Sequence, residues 1–260
     1  MRKSLFRQLA LFAFCTICLG RTAQSQTVVF QHFPAREDVS ILCWSIPQEG
    51  TGPLSQIVVF DTDRQGTTRS LWQSALENSY SPQISFIPEI VVQGLPLALV
   101  ERQTGAASSQ LDVIGEAGGR VVRLLRIDGF RFDIKSLDGG KLPFIIAHRD
   151  ASILDVPEIY RWNGSRFVED SASHPDYYRQ LLAEDRAKLP EDSSGVVLVN
   201  LSRIALLSGD RRGAKRILDD ALSNERSRGA AANKETLRLI TEALNALARR
   251  SRSSQVQQKE

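Results

Sequence analysis

Histidine and cysteine, the side chains that most often hold metals or serve as nucleophiles, are scarce here, with three of each in 260 residues. His32, His148 and His174 belong to no His-x-x-x-His or Cys-x-x-Cys cluster, so a zinc site would need ligands gathered from distant strands. His148 reads as a strand residue and His174 as a helix-entry residue. The chain also lacks a Gly-x-Ser-x-Gly elbow, a phosphate loop and a dinucleotide fingerprint. The glycines of "GEAGGR" are followed by no helix whose amino end could meet a phosphate, and they read as a turn. Neither a metal nor an organic cofactor is expected, and no residue is assigned a catalytic role.

Long apolar runs are missing too. The longest, Leu9 to Leu19, follows Arg2, Lys3 and Arg7 and precedes a small-residue site at Ala23-Gln24-Ser25, which is the layout of a cleaved secretory signal over residues 1–25. It is about half the roughly 20 residues a membrane-spanning helix needs. The expected compartment is therefore the periplasm or the outside of the cell, with no integral membrane segment once the signal is gone. Four of the 33 basic residues lie in that signal, so the remainder carries 29 basic against 30 acidic groups. Charge is unevenly placed: residues 201–260 hold 13 basic and 7 acidic side chains, against 16 and 23 for residues 26–200. The basic stretch is interspersed with acids and belongs to a chain expected to be secreted, which argues against nucleic acid and for a solvated helical face, with an acidic partner or an anionic membrane surface as the sharper alternative. Of the cysteines only Cys43 lies outside the signal, so no intramolecular disulfide is expected, and within "VSILCWSI" it reads as a small buried apolar residue.

From Val39 to Val168, short runs rich in Val, Ile, Leu and Phe alternate with Gly, Pro, Asp and Asn at lengths too short for helices. Eleven strands are expected. Four lie near 39–45, 56–61, 68–73 and 83–87, four near 95–101, 110–115, 120–126 and 130–135, and three near 143–149, 157–162 and 166–169. The segment repeats itself: "FIPEIVVQGLPLAL" matches "FDIKSLDGGKLPFII" through Phe86 and Phe132, Gly94 and Gly140, and Leu95-Pro96 and Leu142-Pro143. Farther on, "LDVIGEAGGRVVRLL" falls opposite "PEIYRWNGSRFVED", aligning Gly119 with Gly164, and a more divergent copy is "IVVFDTDRQGTTRSLW" around Gly66. Tyr160, Trp162 and Phe167 could form an aromatic binding platform, but their counterpart segment has no aromatics, so Asn163-Gly164 reads as a two-residue hairpin turn among packed side chains.

Four short strands per 45 to 50 residues is the period of a propeller blade. The repeats resemble the degenerate propeller repeats of bacterial secreted proteins, the class that includes the FG-GAP and VCBS repeats. Loops in that family often bind calcium through several aspartates. Here "SLDGGK" keeps only Asp138, and "DTDRQG" sets Arg64 beside Asp61 and Asp63, so calcium is not expected. Three repeats are too few to close a propeller, which leaves an open set, a set capped by the tail, or one completed by another chain.

After Val168 the spacing turns helical. His174-Pro175-Asp176 opens a helix running to about Lys188, and "PEDSSG" reads as a linker. The segment "VVLVNLSRIALLSGDRRGAKRILDDALSNERS" resembles one tetratricopeptide unit: Ser202, Ala214 and Ala221 sit where two helices approach, Leu218 fills the large apolar slot and Gly209-Asp210 makes the turn. A further amphipathic helix spans 233–250 behind an Asn233 cap, and residues 251–260 read as a disordered tail. In that family the first helix lines the partner-binding surface, which implies Asn200 and Arg203 as contacts.

The expected fold class is α+β, with an N-terminal antiparallel β region of about three blade-like repeats forming an open or partial propeller over residues 26–170. A C-terminal α-helical hairpin array is expected over 171–250. The function that follows is a secreted or periplasmic non-enzymatic binding and protein-interaction module of unidentified ligand, a protein or envelope component for which an acidic partner is one option. Two alternatives stand beside it: a secreted hydrolase drawing on Asp128, Asp133 and Asp138 at blade edges, and an assembly protein that completes a propeller by oligomerisation, edge strand to edge strand.

Overall fold

The computed structural model describes residues 27–34, 36–48, 52–137, 139–149, 154–189, 195–229 and 233–257. The segment expected to be a signal, Asp138 and most of the "PEDSSG" stretch lie outside the described residues. The fold is α+β, with three antiparallel sheets followed by C-terminal helices, and among the described residues no closed propeller is seen. The chain divides into two compact units, Met1–Asp128 and Gly129–Glu260.

The first unit is built on two sheets. One runs β1 (Thr27–Phe33), β2 (Arg36–Ile46), β3 (Leu54–Thr62) and β4 (Thr68–Gln73) in sequential order, with the two-residue β5 (Glu77–Asn78) also paired to β3. The other runs β6 (Tyr80–Val92), β7 (Leu95–Gly105), β8 (Ser108–Ala117) and β9 (Arg120–Gly129). Period-two alternation puts Ile41, Cys43, Ile57 and Val59 on one face, where they meet Ile84, Leu95, Ala98, Val100 and Ile114 of the second sheet. Cys43 is fully enclosed, and burial pushes its thiol up to about 12, so it behaves as an apolar residue rather than a reactive one.

The second unit joins the third sheet to the four helices of the described residues. The sheet is β10 (Arg131–Lys135), β11 (Phe144–His148), β12 (Glu158–Trp162) and β13 (Phe167–Glu169), again in sequential order. A 3-10 turn at Ser171–Ser173 leads to α1 (Pro175–Lys188), α2 (Gly195–Leu207), α3 (Arg211–Ser227) and α4 (Lys234–Gln257). Phe144, Ile146 and Ile159 from the sheet share one core with Tyr178 and Leu182 of α1 and with Leu201, Ile204 and Ala205 of α2. The boundary expected at 170/171 thus falls inside this unit, because the short third sheet buries its face on α1 and α2. The buried Tyr178 hydroxyl donates to the Pro157 carbonyl at 2.7 Å, tying α1 to the strand entry.

Helical signals were local and are met locally. Asp210 caps α3 by accepting from the Gly213 amide at 2.8 Å, and Asn233 Oδ1 caps α4 by accepting from the amides of Glu235 and Thr236. Ser202, Ala214 and Ala221 are buried at helix contacts, and Leu218 is fully enclosed with Val199 and Ile240. Helix α4 runs to Gln257, seven residues past its expected end, so the segment expected to be disordered is helical as far as that residue.

The strand grouping differs from the expected four, four and three. β1 and β5 were missed, and each sheet begins one strand earlier than expected: β6 opens the second sheet and β10 opens the third. The matched turn glycines nevertheless occupy equivalent places, since Gly66, Gly119 and Gly164 each lie between the third and fourth strands of their sheets. Gly119 at φ 75° and Gly164 at φ 99° need the left-handed region that glycine enters without steric cost. The Asn163-Gly164 connection is not the expected two-residue turn. Trp162 pairs with Phe167 across a four-residue loop, in which Asn163 Oδ1 accepts from the amides of Ser165 and Arg166.

Candidate functional site

A cleft of about 440 Å³ opens in the second unit, between the strand entry to β12 and one face of α2. Asn200, Arg203 and Leu207 reach it because residues three and four apart share a helix face. Across from them lie Arg149, Asp155, Glu158 and Glu169. Asn200 and Arg203, the contacts implied by the tetratricopeptide resemblance, both line this cavity. Their situations differ: the Asn200 side-chain amide donates to the Leu154 carbonyl at 2.9 Å and so holds the segment leading into β12. Arg203 is exposed and makes no hydrogen bond or ion pair among the described residues.

The acids of the cleft are already engaged. Arg149 donates to Glu158 at 2.5 Å, and the Tyr160 hydroxyl donates to the same carboxylate at 2.6 Å. Burial works against the Glu158 charge, but these bonds outweigh it and hold the carboxyl below its usual range. Burial first, and then the bond to Glu158, push the Tyr160 hydroxyl up to about 12. Asp155 accepts the Arg149 amide at 3.1 Å and lies 2.8 Å from His148 Nδ1. The other imidazole nitrogen, Nε2, is 3.2 Å from Asp133 and 3.1 Å from the Arg131 guanidinium. Glu169 accepts the Ser171 amide at 2.9 Å. Counting charge alone, the lining is mixed; counting partners, Arg203 is the cleft cation left without one among the described residues.

The aromatic trio does not form a platform. Trp162 is buried against Phe167, ring centroids 5.3 Å apart, and Tyr160 is spent on Glu158. His174 is buried at the mouth of α1 with its ring edge-on to Phe144, 4.7 Å between centroids. Asp128 and Asp133 belong to different units: Asp128 accepts from Gln110 at 2.8 Å, and Asp133 faces His148. Asp138 lies outside the described residues. Among the described residues no group of three His, Cys, Asp or Glu side chains could hold a metal ion, and no helix is long and apolar enough to cross a membrane.

A second charged constellation, in the first unit, went unread in the sequence. The Arg102 side chain is wholly buried and donates to Asp112 at 2.5 Å, Glu77 at 2.8 Å, Gln110 at 2.9 Å and Ser55 at 3.1 Å. Arg126 reaches the same two carboxylates, and Asp112 is itself fully enclosed. Burial opposes the charge on Glu77, but bonds from Arg126 and Arg102 more than offset it and lower its pKa. Arg126 is held charged in the same way, its bonds to Asp112 and Glu77 outweighing burial. The register carried the signal: Arg102 lies opposite Gln110 and Val100 opposite Asp112, so period two puts these polar groups on the same face as the core residues Ala98, Val100 and Ile114. With every acid matched by a guanidinium, this is a structural clamp between strands.

Comparison with protein-family models, with curated proteins and with solved structures found no match.

Proposed function

We propose that the chain is a secreted or periplasmic binding module, without catalytic activity of its own, whose second unit receives an acidic segment of a protein or envelope component. The N-terminal basic, apolar and small-residue order supports the compartment. The observation that carries the binding reading is Arg203, an exposed guanidinium on the cleft wall with no partner among the described residues, facing acids that already have theirs. A carboxylate entering the cleft would complete its hydrogen bonds in the two-pronged geometry that arginine favours. Asn200 contributes indirectly, by fixing the backbone that forms the opposite lip.

Arg203→Glu tests the proposal. Folding stability is expected to stay within about 0.5 kcal/mol of wild type, as for other exposed sites. Recovery of the partner from the native envelope is expected to fall about tenfold or more, equivalent to about 1.4 kcal/mol or more of binding free energy. The wild-type interaction should also weaken as salt is raised. Unchanged recovery with Arg203→Glu would reject the cleft as the binding surface.

A further inference from the structure

Each sheet has two terminal strands in its hydrogen-bonded order, and natural proteins blunt such edges with charge, proline, bulges or brevity. Five of the terminal strands here are blunted in these ways. β4 carries Arg69, paired with Asp61. β6 contains Pro82 and Glu89 and breaks register twice. β9 carries Arg120, Arg123 and Arg126, β10 carries Arg131, Asp133 and Lys135, and β13 is three residues long. β1 is the exception. Its seven residues, "TVVFQHF", contain no Lys, Arg, Asp, Glu or Pro, and its register with β2 is regular until the last step, at His32/Phe33.

The strand is also firmly placed. On its inner face Val29 packs on the core, the Gln31 side chain donates to the Ile84 carbonyl at 3.1 Å and the Phe33 ring lies 5.2 Å from Phe86. On its outer face Val28 is 45% and Phe30 37% exposed, with Phe30 stacked on Phe60. Among the described residues, β1 has no strand partner except β2. An ordered, apolar, uncharged edge beside exposed aromatic and aliphatic side chains is built to accept another strand.

We infer that β1 is the interface of a homodimer, in which it pairs antiparallel with β1 of a second copy about a twofold axis at Phe30. A twofold axis sets each residue against a residue of the same sequence, so any charge near the axis would face its own copy. In β1 this pairing places Phe30 against Phe30 of the second copy, Val28 against His32 and Thr27 against Phe33, with no acid or base opposed. Among the terminal strands, β1 is the one long, regular edge free of that repulsion. The interface lies in the first unit and goes beyond the cleft reading, so either can fail without the other.

Sedimentation of the full-length gene product, as processed and purified from its host, tests this. Wild type is expected to show a concentration-dependent dimer in the micromolar range. Phe30→Lys and Phe30→Glu should each weaken the dimer by a hundredfold or more, since like charges set opposite one another across an interface cost several kcal/mol. An equimolar mixture of the two variants should restore it. Leu76→Lys, at an exposed site of the same unit away from β1, should leave the dimer intact. Should the Phe30 variants not fold, amide exchange of residues 27–33 in wild type carries the test, with slowing expected on concentration. A wild type that stays monomeric, a mixture that fails to pair, or exchange in 27–33 that is independent of concentration would overturn the inference.

Discussion

Asp112→Ala is expected to destabilise the first unit by about 3–5 kcal/mol, because it leaves the wholly buried Arg102 guanidinium without its shortest-bonded partner. Glu77 would remain, but it is itself partly exposed and shared with Arg126. Denaturant unfolding monitored by near-ultraviolet circular dichroism reads the loss. Replacing both members, Arg102→Met with Asp112→Leu, should recover part of it, since Glu77 and Arg126 keep each other and no lone charge is left buried. The clamp also sets a pH dependence. The Glu77 pKa is lowered in the folded protein from its ordinary value of 4.5, so its contribution is fully present above that value and is lost as pH falls through the lower folded value. The Glu77→Gln protein should lack that acid limb. A cost below about 1 kcal/mol for Asp112→Ala would show that Arg102 is solvated when its partner is removed, contrary to its burial.

Leu218→Ala should cost about 2–5 kcal/mol, the range for removing an enclosed leucine from a core that cannot collapse around the gap. Its neighbours come from three helices: Val199 on α2, Ala221 on its own helix and Ile240 on α4. A single helical hairpin cannot bury both of its faces, and here α1 and α4 pack against the pair, as its spacing required. Thermal or denaturant unfolding checks the value, and a cost below about 1 kcal/mol would reject the packing of α2, α3 and α4 around this side chain.

The parts of this fold that were legible in the sequence are those whose signal is local. Asn233 and Asp210 sit where capping chemistry needs them, Gly119 and Gly164 where the chain must turn left-handed, and Leu218, the large apolar slot of the tetratricopeptide resemblance, is enclosed. What failed was grouping. "TVVFQHF" carries β-forming residues, but it directly follows the segment expected to be a signal and precedes the first recognised repeat, so omitting it shifted the assignment of strands to sheets by one place throughout. Hydrogen-bonded neighbourhood is a long-range property that period-two alternation does not encode. The change from strand to helix spacing near residue 170 marks local structure, whereas the third sheet buries Phe144, Ile146 and Ile159 on the helices that follow. In the cleft, the tetratricopeptide resemblance pointed to Asn200 and Arg203 but not to Glu158, Asp155 or Glu169, whose place depends on how the strand entry folds back on α2.

Amide hydrogen exchange of the full chain with and without its captured partner tests the central claim most directly, because it maps the contact without altering the protein. The account predicts that added protection concentrates in residues 154–158 and around Asn200 and Arg203, and that it is lost in the Arg203→Glu protein. Protection confined to the first unit, with the cleft segments exchanging as in the free protein, would contradict it.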